Sequence, residues 1–350
     1  MLSHDWDTKK AVILGCSGPS LTDDEITFYA NMCPLGFILF KRNCETPKQL
    51  KALTKALRSV AKSKNVPILI DQEGGNVARL AGPHWRHPPD ARTIGNIAES
   101  DLKKGCRAAY LNARLIGREL MSMGINVNCS PVLDISSQST HRIIGTRAYS
   151  NAAHIVRYLG QSVCIGLAEE GVTPIIKHIP GHGRATTDSH VELPIVGEKK
   201  EVLKDTDFLP FEKQNSSTWA MTAHILYKHL DSINPATQSK VIISKIIRDE
   251  ISFDGIVISD DIGMNALKGD FSERASKSLE AGCDIVMHCS GKIEEMKTFV
   301  RKIPRLSDIS RIRLSRTQSW ISKVRSEAPK ISETAINREL DKLLENSMPS

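Results

Sequence analysis

The chain has 350 residues, 40% hydrophobic and 25% charged, enough apolar material for a large α/β domain and no bias toward a disordered or fibrous chain. Its eight cysteines form no Cys-x-x-Cys pair, which argues against a zinc ribbon or dithiol centre, and a chain this long needs no disulfide scaffold. The formal charge of +7 does not describe a nucleic-acid surface: eight Lys or Arg against Asp308 alone, between Arg301 and Arg325, account for the excess, and aromatic residues for stacking bases are few.

The first predicted strand is Ala11–Cys16. Its Ile13-Leu14-Gly15-Cys16 has the look of a lipoprotein cleavage site, but the apolar stretch from Ala11 to Leu14 falls short of the roughly 7–15 residues of a secretory core. Asp5 and Asp7 also precede it, so a barrel strand is the better reading and the expected location is cytoplasmic. Gly36–Phe40 follows, then a helix over Pro47–Ala61 and a third strand at Pro67–Asp71. The remaining strands are read at Asn126–Asp134, Val172–His178, Trp219–His224, Gly255–Asp260 and Asp284–His288, with amphipathic helices such as Leu102–Met123 and Ala152–Glu169 between them. Near-continuous apolar runs, rather than strict alternation, suit parallel strands buried on both faces. Eight β-then-α units predict a (β/α)₈ TIM barrel over residues 1–305. Residues 306–350 are expected to add a helical extension packed on it, whose basic side is read as a solvated face rather than a phosphate-binding patch. No run approaches the roughly 20 apolar residues that span a bilayer, so no membrane partner is expected.

In such barrels the chemistry sits at the C-terminal ends of the strands. Here those ends are polar: Asp71-Gln72-Glu73-Gly74-Gly75, Asp134, Lys177-His178, His224 and Ser259-Asp260-Asp261. After the fifth strand comes Lys177-His178-Ile179-Pro180-Gly181-His182-Gly183, ending at Asp188-Ser189-His190. Gly181 and Gly183 could let this loop act as a lid. Asp188 and His190, two apart, fit either an acid–base dyad or a local Asx turn with an exposed imidazole.

That loop resembles the signature loop of glycoside hydrolase family three N-acetylglucosaminidases. Ile70-Asp71-Gln72-Glu73-Gly74-Gly75 with Arg79, Ser130-Pro131-Val132-Leu133-Asp134 and Ile258-Ser259-Asp260-Asp261 are similar to that family's third-, fourth- and seventh-strand motifs, in the same order. The resemblance covers about residues 11–290. Thr146 stands before Arg147 where the family often has an aspartate.

The resemblance implies an exo-acting β-N-acetylglucosaminidase that retains configuration. Asp260 would be the nucleophile, with His190 as acid and base oriented by Asp188. Asp71, Arg79, Arg147, Lys177, His178 and His224 would hold the terminal sugar. It further implies a muropeptide or chitobiose-like saccharide as substrate, peptidoglycan recycling in the bacterial cytoplasm, no cofactor, no metal and action as a monomer. An imidazole acid avoids like-charge repulsion with a carboxylate-bearing substrate and titrates near neutrality.

Three alternatives stand beside this reading. Phosphate could replace water as acceptor, making the chain a phosphorylase. A sugar-binding protein could have kept the scaffold without the chemistry. A metal-dependent hydrolase would use His178 and His224, but Gly15-Cys16-Ser17-Gly18 lacks the His-x-His that such sites place after the first strand.

Overall fold

Eight parallel strands close into a barrel, each bonded to its neighbours in chain order and the last to the first. The computed structural model describes residues 6–136, 145–185, 187, 189, 191–215 and 218–345. The barrel strands are β1 Lys10–Gly15, β2 Pro34–Leu39, β3 Ile68–Ile70, β4 Val127–Asn128, β5 Thr173–Ile179, β6 Trp219–Thr222, β7 Ile256–Asp261 and β8 Ile285–His288. β2, β3, β4, β6 and β8 are buried along their whole length, as expected of strands packed between barrel interior and helices. Cys16, at the end of β1, is a free buried thiol, as are Cys129, Cys164 and Cys283.

The outer helices are α1 Asp23–Met32, α2 Pro47–Ala61, α3 Ala91–Ser100, α4 Leu102–Ser122, α5 Ala153–Glu169, the single turn α6 Lys200–Leu203, α7 Phe271–Ala281, α8 Ile293–Phe299, α9 Asp308–Glu327 and α10 Glu333–Glu345. A wide helical segment, Ile242–Glu250, fills the place between β6 and β7. Local chemistry sets several starts. Thr22 and Glu25 form a capping box at α1, Thr46 caps α2 ahead of Pro47, and Asp90 caps α3. No helix among the described residues is long and apolar enough to cross a membrane.

Two expectations need correction. The fourth strand, read as Asn126–Asp134, is regular only at Val127–Asn128, because Pro131 has no N–H to give the ladder. The segment still runs along β5, with Ile175 N–H donating to Ser130 O at 3.2 Å and Leu133 N–H to Lys177 O at 2.7 Å, and so delivers Asp134 to the rim. The basic side of α9 is not simply a solvated face. Arg313 pairs with Asp254 at 2.7 Å and with Asp284 at 3.0 Å, and Arg316 reaches Asp254 at 3.1 Å. Asp284, with its side chain 2% exposed, also takes Arg248 at 2.9 Å, so these arginines fasten α9 beneath β7 and β8. α10 is held to α4 by Arg107 and Glu339 at 2.7 Å.

Candidate active site

The C-terminal rim of the barrel holds a cavity of about 220 Å³ lined by Asp71, Glu73, Arg79, Arg147, Lys177, His178, His182 and Asp260, with Phe40, Met221 and Met264 among its apolar members. β3 feeds it through a small antiparallel ribbon, Gln72–Gly74 against Val77–Ala78. Gln72 is fully buried and pins the ribbon: its Oε1 accepts from Arg79 N–H at 2.8 Å and Leu80 N–H at 3.0 Å, while Nε2 donates to Leu80 O at 2.9 Å. The turn needs glycine. Gly74 has φ 114°, and a Cβ there would sit 2.2 Å from Pro89 O.

Charge alternates across the cavity wall. Arg79 meets Asp71 at 3.0 Å, Lys177 meets Asp71 at 2.9 Å and Glu73 at 2.6 Å, and Arg147 grips Glu73 through two bonds of 2.8 Å. Burial alone would raise the Asp71 carboxyl, but Lys177 and Arg79 hold it well below the usual carboxylate range. Glu73 is likewise held low against its burial, by Arg147 and then Lys177. Burial works to discharge Lys177, yet Asp71 and Glu73 keep its ammonium above the ordinary lysine value. Three cations and two carboxylates thus present fixed donors and acceptors to a polyhydroxylated ligand, and the charges need no large rearrangement to receive it.

A second line of groups runs from Asp134 to Asp260. Asp134 accepts from His178 Nδ1 at 2.7 Å and from the backbone N–H groups of His178 at 3.1 Å and His182 at 2.6 Å. Against its burial, His178 draws its pKa down to about 2. His178 Nε2 then lies 4.0 Å from Asp260 Oδ2, beyond direct hydrogen-bond reach. His182 is pushed down to about 4, by burial first and then by His178, so its ring is neutral at pH 7.

The two neighbouring aspartates of β7 have different surroundings. Asp261 Oδ1 accepts from the N–H groups of Gly263 at 2.8 Å and Cys289 at 3.2 Å, and His288 Nδ1 stands 3.6 Å away. Asp260 receives one local bond, from Asp261 N–H at 2.8 Å. Both side chains line the cavity, and Asp260 is the one with fewer hydrogen bonds from the protein.

The structure brings together Asp71, Arg79, Arg147, Lys177, His178 and Asp260. His224 is the exception. It is buried behind the wall, with Nδ1 on Thr237 Oγ1 at 2.7 Å and Nε2 on Asp261 O at 3.0 Å, so both ring nitrogens are spent holding the end of β7. Gly181 takes φ 137°, open to glycine, and close packing adds a second demand: a Cβ on Gly183 would lie 1.9 Å from Ile135 O, and one on Gly181 2.9 Å from Asp207 Cβ. Asp188 and His190 lie outside the described residues; Ser189 between them lines the cavity. Sequence reasoning passed over Glu73, Asp134 and His182 as site residues. The available signal was charge balance, since three cations at one rim require anionic partners. Among the described residues no group of three or more His, Cys, Asp or Glu is arranged to hold a metal ion.

The shifted groups predict how stability follows pH. His182, Asp134 and Asp71 all have folded-state pKa values below their unfolded ones, about 6.5 for His and 3.9 for Asp, so the unfolded chain binds more protons as pH falls. Stability is thus present in full above about pH 6.5, falls first as His182 is passed and falls again below about pH 4. Urea midpoints measured from pH 8 to 2.5 should descend in these two steps, and His182→Gln should shrink the first, the remainder belonging to His224, which burial also holds below the ordinary histidine value.

Residues 31–324 match the glycosyl hydrolase family 3 N-terminal domain. A beta-hexosaminidase of Alkalilimnicola ehrlichii is 33% identical over 311 residues, covering 87% of this chain and 87% of that protein. One from Methylococcus capsulatus is 34% identical over 277 residues, covering 78% and 80%. Among solved structures, NagZ from Neisseria gonorrhoeae in complex with N-trifluoroacetyl-D-glucosamine superposes with a TM-score of 0.84 at 28% identity, covering 97% of this chain and 99% of that one. The β-N-acetylglucosaminidase from Paenibacillus sp. FPU-7 gives 0.81 at 30% identity, covering 99% and 68%.

Proposed function

The chain belongs to glycosyl hydrolase family 3 and is a β-N-acetylhexosaminidase, and on that premise we propose that it removes terminal N-acetylglucosamine through a glycosyl ester on Asp260. The observation that carries this reading is the hydrogen-bond contrast between the two cavity aspartates: Asp261 Oδ1 takes two backbone N–H groups, while Asp260 takes one and faces His178. In the first step an Asp260 oxygen bonds to the anomeric carbon while the bond to the leaving oxygen breaks, and His190 gives that oxygen its proton. In the second, water attacks the same carbon, His190 takes the proton and the Asp260 carboxylate is released. Asp188 orients the imidazole. Ser189, between these two residues, lines the cavity, which supports assigning them to it.

Asp71, Arg79, Lys177, Arg147 and His178 are proposed to bind the sugar, directly or through Glu73, whose carboxylate is shared by Lys177 and Arg147. At about 220 Å³ the cavity lies below the roughly 300–1,000 Å³ of typical ligand pockets, which favours one terminal ring over a long glycan and hence exo action. A muropeptide aglycone and a role in cytoplasmic peptidoglycan recycling follow from the family reading and from the choice of an imidazole rather than a carboxyl group as acid and base at residue 190.

The test is ¹H NMR of the products from a chromogenic N-acetyl-β-glucosaminide, with and without phosphate and chelator. The β-anomer of the free sugar is expected first, at a rate indifferent to both additives. Initial release of the α-anomer would rule out the ester, and a sugar 1-phosphate would make the chain a phosphorylase. No turnover of this substrate or of muropeptides under any condition would favour a binding role.

A further inference from the structure

The opposite end of the barrel carries a second cavity, of about 330 Å³, walled by Trp6 and by the first residues of β4, β5 and β6. α9 closes one side with Leu314, Thr317, Gln318, Ile321, Ser322 and Arg325, a face repeating every three or four residues. This is where the basic segment picked out in the sequence ends. Most of its upstream arginines are spent on Asp7, Asp254 and Asp284, but Arg325 is exposed and has no carboxylate partner among the described residues.

The lining is one-sided. Arg58, Lys64 and Arg325 contribute three cations, there is no Asp or Glu among the described residues of the wall, and none of the three pairs with a carboxylate among the described residues. Arg58 gives three N–H groups to the carbonyls of Lys64, Thr54 and Gly124, which leaves two of its five donors over. Its pKa is lowered by burial, and no carboxylate opposes that shift. Trp6 and Trp219, each 2% exposed, contribute to the same wall. Besides the cations the wall mixes further apolar side chains, Met121, Leu314 and Ile321, with amides and hydroxyls such as Asn65, Asn126 and Thr173.

From this combination of a formed cavity, three cations with no acidic residue among the described residues of its wall, and apolar side chains beside them, we infer that the N-terminal mouth of the barrel binds a small organic phosphate monoester with an apolar body. A phosphate brings three acceptor oxygens and close to two negative charges, which suits dispersed donors better than the two oxygens of a carboxylate. The apolar body lies against Trp6, Trp219, Leu314 and Ile321. This site shares no lining residue with the catalytic cavity and takes no part in hydrolysis.

The test uses the full chain, saturated with N-acetylglucosamine so that the catalytic cavity is filled, and titrates phenyl phosphate by calorimetry. One saturable site is expected, with phenol and inorganic phosphate each binding at least about tenfold more weakly, a difference of about 1.4 kcal/mol. Lys64→Glu with Arg325→Glu should weaken phenyl phosphate at least about tenfold. The milder Lys64→Ala with Arg325→Ala should weaken it less, and hydrolysis by both variants should stay at the wild-type rate, which also reports that they fold. No saturable heat, equal affinity for phenol, or wild-type affinity in the charge-reversed variant would overturn the proposal.

Discussion

Replacing Asp260 by alanine is expected to lower kcat for a chromogenic N-acetyl-β-glucosaminide by roughly 10⁴-fold or more, with far less change in KM. The carboxylate attacks only as the glycosidic bond breaks, so its loss removes an interaction made in the transition state and little of what holds the ground state. Asp261→Asn is the informative companion. It keeps an oxygen for the N–H groups of Gly263 and Cys289, and it should leave most of the turnover while lowering stability modestly. Steady-state kinetics on both variants separate the two roles. A large loss at Asp261 with little at Asp260 would reverse the assignment. If the ester forms, azide or formate should also restore part of the turnover of Asp260→Ala, since either anion fits the space left by the carboxylate.

The barrel was legible because of how its strands are buried. A strand packed on both faces writes a continuous apolar run, and eight such runs appeared, each ending within a few residues of the observed strand except where Pro131 interrupts β4. The tendency of polar chemistry to gather at C-terminal strand ends then placed Asp71, Lys177, His178 and Asp260 on one rim. That rule gives the height of a residue along the barrel but not the direction of its side chain. His224 has the right height and turns instead toward Thr237 and the Asp261 carbonyl. Glu73 and Asp134 stood inside the quoted motifs, yet their pairing with Arg147, Lys177 and His178 depends on contacts across 44 to 104 residues, which no local pattern encodes. The arginines of α9 were hidden for the same reason, since Asp254 lies 59 residues upstream of Arg313.

Lys177→Met should be the most destabilising single change at the site, at about 3–5 kcal/mol near neutral pH. The lysine side chain is 3% exposed and stands between Asp71 and Glu73. Methionine fills a similar volume, so packing is nearly conserved and the loss is electrostatic: two buried carboxylates keep one arginine each and lose the cation they share. The pH dependence of the difference identifies the cause. Without the ammonium both carboxyls titrate at higher pH than in the wild type, so protonation relieves the variant in a range where the native chain still holds both groups ionised. The stability gap, read from urea midpoints, should therefore narrow between pH 7 and pH 4.5. A gap constant over that range would point to packing instead. Adding Asp71→Asn to Lys177→Met should recover part of the loss, because the remaining carboxylate then faces a neutral neighbour and keeps Arg147 to itself. Lys177→Arg preserves charge but not shape: its planar fork is larger than the space between two carboxylates at 2.9 and 2.6 Å, so it should retain more stability than methionine while sugar binding still suffers.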